Sequence, residues 1–93
     1  MILVICYDIT DDDRREEVAA LLSGYGPRVQ LSVFECEVAD AEEAGTLRAA
    51  LRDRIDPLVD QVRIYPTTAV TIAERHILGA RMVEERADYW IIR

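Results

Sequence analysis

The sequence predicts an α+β fold whose strands and helices run in the order βαββαβ. Three observations carry this. The chain opens on an apolar, β-branched run from Ile2 to Tyr7, two later segments place apolar residues at helical spacing, and the stretches between them alternate apolar and polar residues as half-buried strands do. Ninety-three residues make a single domain, 1–93. A chain this short buries a limited share of its surface, so pairing with a second copy would add core.

Ile2 to Tyr7 is nearly continuous in apolar side chains, as expected for a central strand covered on both faces, and it stops at Asp8. Thr10-Asp11-Asp12-Asp13 then resembles a capping box, with acidic residues where a helix N-terminus favours them. Val18, Leu21, Leu22 and Tyr25 keep the spacing of one buried stripe, and Gly24 and Gly26 supply the stop. From Arg28 to Val38 the alternation changes phase near Ser32, which predicts two strands around a bend. Asp40 is placed as the N-cap of a second helix, lined on one face by Ala44, Leu47, Leu51 and Ile55 and ended before Pro57. Gln61 to Tyr65 alternates again and Pro66 closes it. This order is the ferredoxin-like arrangement, complete by residue 66. Residues 67–93 hold three more strand-like pieces, Ala69 to Ile72, His76 to Gly79 and Tyr89 to Ile92. A sheet packed by helices on one face leaves the other open, so this β-rich extension is expected to cross between the subunits of a homodimer.

Composition narrows the function classes. With 51% hydrophobic and 31% charged residues the chain is neither disordered-like nor membrane-like, and a cytoplasmic location without membrane contact is expected. Cys6 and Cys36 lie in apolar runs and read as buried reduced thiols, since two cysteines cannot supply a structural zinc site. The net charge of -7 opposes a generic nucleic-acid binder. All 11 basic residues are arginine, a pattern that suits bidentate phosphate contacts and equally suits codon bias in a GC-rich genome.

Asp8 is the main candidate for chemistry. It follows a buried strand, where a carboxylate stands on rigid backbone at the end of the sheet. The plainer reading makes it a cap for the turn into the first helix. If a two-fold axis passes near the strand end, two copies of Asp8 could share one hard cation, magnesium or manganese, completed by water. Such an ion could activate water and neutralise charge developing on a phosphodiester. Asp11, Asp12 and Asp13 read as complements to the helix dipole. Arg14, Arg15 and Arg28 fall near the same end and are candidate phosphate contacts. Phe34 and Tyr7 could stack on bases, with core packing the better reading for Tyr7 and both readings open for Phe34. His76, the single histidine, has no nucleophile arranged beside it and reads as a surface residue of the tail. No glycine-rich phosphate loop is present.

Taken in order, Tyr7-Asp8-Ile9-Thr10-Asp11-Asp12, Arg14-Arg15, Val18, Leu22, Tyr25-Gly26, then Arg28-Val29-Gln30-Leu31-Ser32-Val33-Phe34-Glu35 and Arg63-Ile64-Tyr65-Pro66 resemble the Cas-two family of CRISPR-associated proteins across essentially the whole chain. The resemblance implies a ferredoxin-like homodimer that joins the Cas-one integrase in spacer acquisition, bridging integrase dimers and contacting the backbone of incoming DNA. It further implies, for several members, metal-dependent endonuclease activity on single-stranded RNA or double-stranded DNA, with the aspartate matching Asp8 as metal ligand. Arg15, Arg28 and Phe34 match positions linked to activity in some members. Glu17 stands where some of them carry a further arginine. Two rival readings remain: a toxin-like ribonuclease of the virulence-associated type, and a non-catalytic ferredoxin-like regulatory dimer that binds a small ligand.

Overall fold

The computed structural model describes residues 1–79. Strands β1 (Ile2–Asp8), β2 (Arg28–Gln30), β3 (Val33–Glu37) and β4 (Gln61–Thr67) form one sheet, with helices α1 (Asp12–Ser23), α2 (Ala41–Arg54) and α3 (Ala69–Ala73) between and after them. The sheet order is β2-β3-β1-β4 with every pairing antiparallel, which is the ferredoxin-like topology expected from the sequence.

Alternation along β1 decides which face is which. Leu3, Ile5 and Tyr7 are buried toward the helices, and their neighbours Ile2, Val4 and Cys6 face the other way and are only partly covered. On β3, Phe34 and Cys36 continue the buried face; Val18 and Leu22 from α1 and Ala44, Leu47 and Leu51 from α2 close over it. Fully burying a side chain the size of Leu or Phe is worth about 1.5–3 kcal/mol, so this single cluster supplies most of the driving force for the fold.

The helix boundaries follow from local hydrogen bonds. Asp11, one residue after the expected Thr10, is the N-cap of α1, its carboxylate accepting from the Arg14 backbone N–H at 2.9 Å. Asp40 caps α2 as expected, accepting from the Glu43 N–H, while the Glu43 carboxylate reaches back to the Ala39 N–H. Gly24 ends α1, so Tyr25 lies beyond the helix rather than on its last turn. Gly26 does more than stop a helix: a Cβ there would fall 1.9 Å from the Glu35 carbonyl oxygen, so the chain passes against β3 too closely for any side chain.

Four further expectations change in detail. The fourth strand continues through Pro66 to Thr67, which a proline permits because β4 is an edge strand. Ala69 to Ile72 belongs to α3, a short helix started by the Thr68 side chain on the Thr71 N–H, and not to a strand. His76 to Gly79 forms no strand among the described residues, and His76 is exposed. Both cysteines are free thiols, but contrary to the expectation of two buried ones Cys6 is partly exposed, because it lies on the opposite face of the sheet from buried Cys36. Burial pushes the Cys36 thiol up to about 11. The expected strand at 89–92, and the passage of the extension to a partner, lie outside the described residues.

Candidate functional site

The end of β1 is built to hold one carboxylate still and in the open. Tyr7 and Ile9 are both buried, at 6% and 5% exposure, so the backbone on either side of Asp8 is anchored in the core while the Asp8 side chain is exposed. Asp8 pairs with Gln61 across the β1–β4 ladder and shares the open face with Cys6 and Val4. The capping alternative for Asp8 is set aside, because Asp11 performs that role. No group of three or more His, Cys, Asp or Glu side chains able to hold a metal occurs among the described residues. Asp8 offers a hard oxygen donor at this point. It suits magnesium or manganese only where a second copy, phosphate oxygens and water complete the shell.

The arginines near this end are held in different ways. Arg15 donates to the carbonyl oxygens of Ile9 and Thr10, both at 3.2 Å, and pairs with Asp12, so it clasps the loop that follows Asp8. Arg14 turns the other way, its Nε on Asp60 Oδ2 at 2.7 Å and its Nη2 on Oδ1 at 3.3 Å. The hydrogen bond from Arg14, followed by one from the Asp56 backbone, holds the Asp60 carboxyl below its usual range.

Arg28 lies over the Phe34 ring, 5.3 Å from guanidinium carbon to centroid, and its Nη2 donates to the Tyr7 hydroxyl at 3.2 Å. That hydroxyl in turn donates to the Leu31 carbonyl at 3.3 Å, and the Tyr7 and Phe34 rings stack at 6.3 Å. Phe34 is 0% exposed. The open question on this residue therefore closes toward the core: a fully buried ring presents no face to a base, and its part at the surface is to seat Arg28. Tyr7 is core, as expected, with its hydroxyl as the polar handle.

Sequence reasoning missed two contributors. Asp60 and the Tyr7 hydroxyl act through partners 46 and 21 residues away, and neither leaves a local pattern to read.

A ferredoxin-like sheet with two covering helices and an exposed aspartate at the end of its first strand, next to arginines fixed by core contacts, defines a small α+β protein of distinct class. The family model described as CRISPR associated protein Cas2 matches residues 1–75, and the chain belongs to that family. The CRISPR-associated endoribonuclease Cas2 3 of Chloroflexus aurantiacus is 40% identical over 92 residues, covering 99% of this chain and 98% of that protein. The crystal structure of Streptococcus pyogenes Cas2 at pH 6.5 superimposes with a TM-score of 0.76 at 32% identity, covering 85% of this chain and 100% of that one. A chain of a partial Cas6-RT-Cas1–Cas2 complex is similar with a TM-score of 0.70 at 30% identity, covering 83% of this chain and 89% of that chain. Among the described residues no helix is long and apolar enough to cross a membrane.

Proposed function

We propose that this chain acts in CRISPR adaptation as a homodimer that bridges the Cas1 integrase and contacts incoming DNA, and that the dimer hydrolyses phosphodiester bonds with Mg²⁺ or Mn²⁺ held by Asp8 of both copies. The observation that carries the reading is an exposed carboxylate mounted between two buried anchors, with no hydrogen bond or ion pair to any described residue. Membership of the family, the endoribonuclease name of a relative and the Cas1–Cas2 complex of a structural neighbour support it.

The chain's own residues divide the work. Asp8 supplies the hard oxygen donor, and the β1–β4 ladder holds it in place. Arg15 and Arg28, kept in position by backbone carbonyls and by an aromatic seat, meet phosphate oxygens. A bound divalent ion supplies charge neutralisation at the phosphate and a more acidic water. DNA bridging rests on the arginines and not on the ion. Because a few local cations suffice for backbone contact, the overall charge of -7 is compatible with it.

The test pairs two assays on the full chain. Labelled single-stranded RNA and duplex DNA are incubated with Mg²⁺ or Mn²⁺, with and without chelator, for wild type and Asp8→Asn. A loss of at least about 100-fold for the variant and for the chelated enzyme is expected, the scale on which a lost charge stabiliser acts. Undiminished cleavage in either arm refutes the catalytic assignment. In the second assay, capture of Cas1 and duplex persists in Asp8→Asn and weakens in the Arg15→Gln, Arg28→Gln double variant. Equal duplex affinity of that variant and wild type across a salt titration refutes the bridging contacts.

A further inference from the structure

We propose that Arg14 and Asp60 form a positioning pair for Asp8, closing a ring that ties the end of β1 to the start of β4, so that Arg14 serves the site from within the chain and not by touching phosphate. The inference deepens the reading above and rests on it for the role of Asp8.

The ring can be followed residue by residue. Asp8 pairs with Gln61. Asp60 precedes Gln61, and its Oδ2 accepts both the Arg14 Nε at 2.7 Å and the Asp56 backbone N–H at 2.8 Å. Arg14 stands in the first turn of α1, just beyond the loop Ile9 to Asp11, and Arg15 beside it grips the two carbonyls of that loop. The carboxylate is therefore flanked by a loop gripped by Arg15 and, across the ladder, by backbone fastened through Asp60 to Arg14. The Asp60 side chain is 0% exposed and that of Arg14 30%, so the contact is shielded from water where it matters. Breaking it leaves a buried carboxylate without its cation at the root of β4.

The same contacts favour the positioning role for Arg14 over a phosphate contact. Its guanidinium is held in a two-point grip by Asp60 and lies 3.8 Å from Asp11 as well. The positive charge is matched inside the chain and adds little to the field a polyanion meets. Arg15, by contrast, is held by two backbone carbonyls and by Asp12, a carboxylate that is itself exposed.

The experiment reads the ring without relying on cleavage. Residue-resolved amide hydrogen exchange is measured on the full chain as wild type, Asp60→Asn and Arg14→Lys. Asp60→Asn is expected to speed exchange by about tenfold at residues 8–12 and 61–62 while leaving β3 and α2 as they were, since local openings draw on local contacts. Arg14→Lys, which keeps the charge but one donor in place of two, falls between. Unchanged exchange at residues 8–12, or an equal rise throughout the chain, overturns the inference whatever the nuclease assay shows. In steady-state cleavage the folded Asp60→Asn variant loses kcat with KM unchanged, and a wild-type kcat overturns the positioning role. The salt slope of duplex binding is expected to be the same for Arg14→Gln and wild type; a slope smaller by about one makes Arg14 a phosphate contact and overturns the assignment. A wild type that neither binds nor cuts defeats the functional reading alone, because the exchange result stands independently.

Discussion

The two faces of the sheet are made from the same strands and differ in almost every physical respect. On the helix-covered face Leu3, Ile5, Phe34 and Cys36 are at most 2% exposed. On the open face Asp8, Glu37, Gln61, Arg63 and Tyr65 remain exposed, with Ile2, Val4, Cys6 and Val33 partly covered between them. Arg63 is held there by Gln61 and by the Tyr65 hydroxyl. α3 turns back over the far end of this face, where Arg75 meets Glu35 at 3.5 Å and Ile72 lies in a shallow cleft with Ile2 and Glu37. Among the described residues the Asp8 end stays open. One face thus specifies the fold, and the other is the surface on which the proposed second copy and polyanion would meet the chain.

The sharpest way to break this contrast is to damage the covered face. Phe34→Ala should destabilise the chain by about 3–5 kcal/mol in urea titration, the usual cost of removing a buried aromatic ring. It should also release Arg28, so that duplex affinity falls even under conditions where the variant is still folded. A loss below about 1 kcal/mol would mean that the ring is not the centre of the core. Gly26→Ala comes next. With 1.9 Å to the Glu35 carbonyl oxygen, the added methyl must push α1 and β3 apart, at a cost of about 1–3 kcal/mol that a thermal melt would register. An unchanged melting temperature would show that the strand can yield.

A pH titration sharpens the same contrast more gently. Cys36 in the folded chain ionises near 11, against 9.0 for a free thiol. Folding therefore favours the protonated form, and its contribution is fully present below about pH 9 and is lost as pH rises toward 11. Alkaline destabilisation should be steeper in wild type than in Cys36→Ala over that window.

How much of this was legible beforehand follows the same division. The covered face announces itself, because Leu3, Ile5, Val18, Leu22, Leu47 and Leu51 recur at the period of their own element, and the Asp40 cap stands in the residues that make it. Asp8 was legible too, as the abrupt polar end of a buried run. What could not be read joins distant parts of the chain. The Arg14 contact to Asp60 spans 46 residues, and the Gly26 requirement comes from a strand nine residues further on that packs against it. Ala69 to Ile72 misled because β-branched residues prefer strands, while the Thr68 cap and the packing of Ile72 near Ile2 decided for a helical turn. Phe34 was ambiguous for a related reason: aromatic residues in strands serve equally well as core or as stacking surface until burial is known.

The smallest effect on the chain itself, and the most telling about the open face, is expected from Val4→Glu. Val4 faces away from the helices between Glu35 on β3 and Tyr65 on β4, so a carboxylate there can stay solvated in a single chain and should shift its stability by less than about 1 kcal/mol. In an assembly that closes this face, the same carboxylate would lose water beside Glu35, whose charge Arg75 already matches, at a desolvation penalty. Analytical ultracentrifugation should therefore show wild-type dimers and Val4→Glu monomers at equal concentration, with matching circular dichroism. A variant that remains dimeric would place the two-fold contact elsewhere on the molecule. The two copies of Asp8 would then have no shared face through which to meet, and the metal assignment would fall with the dimer.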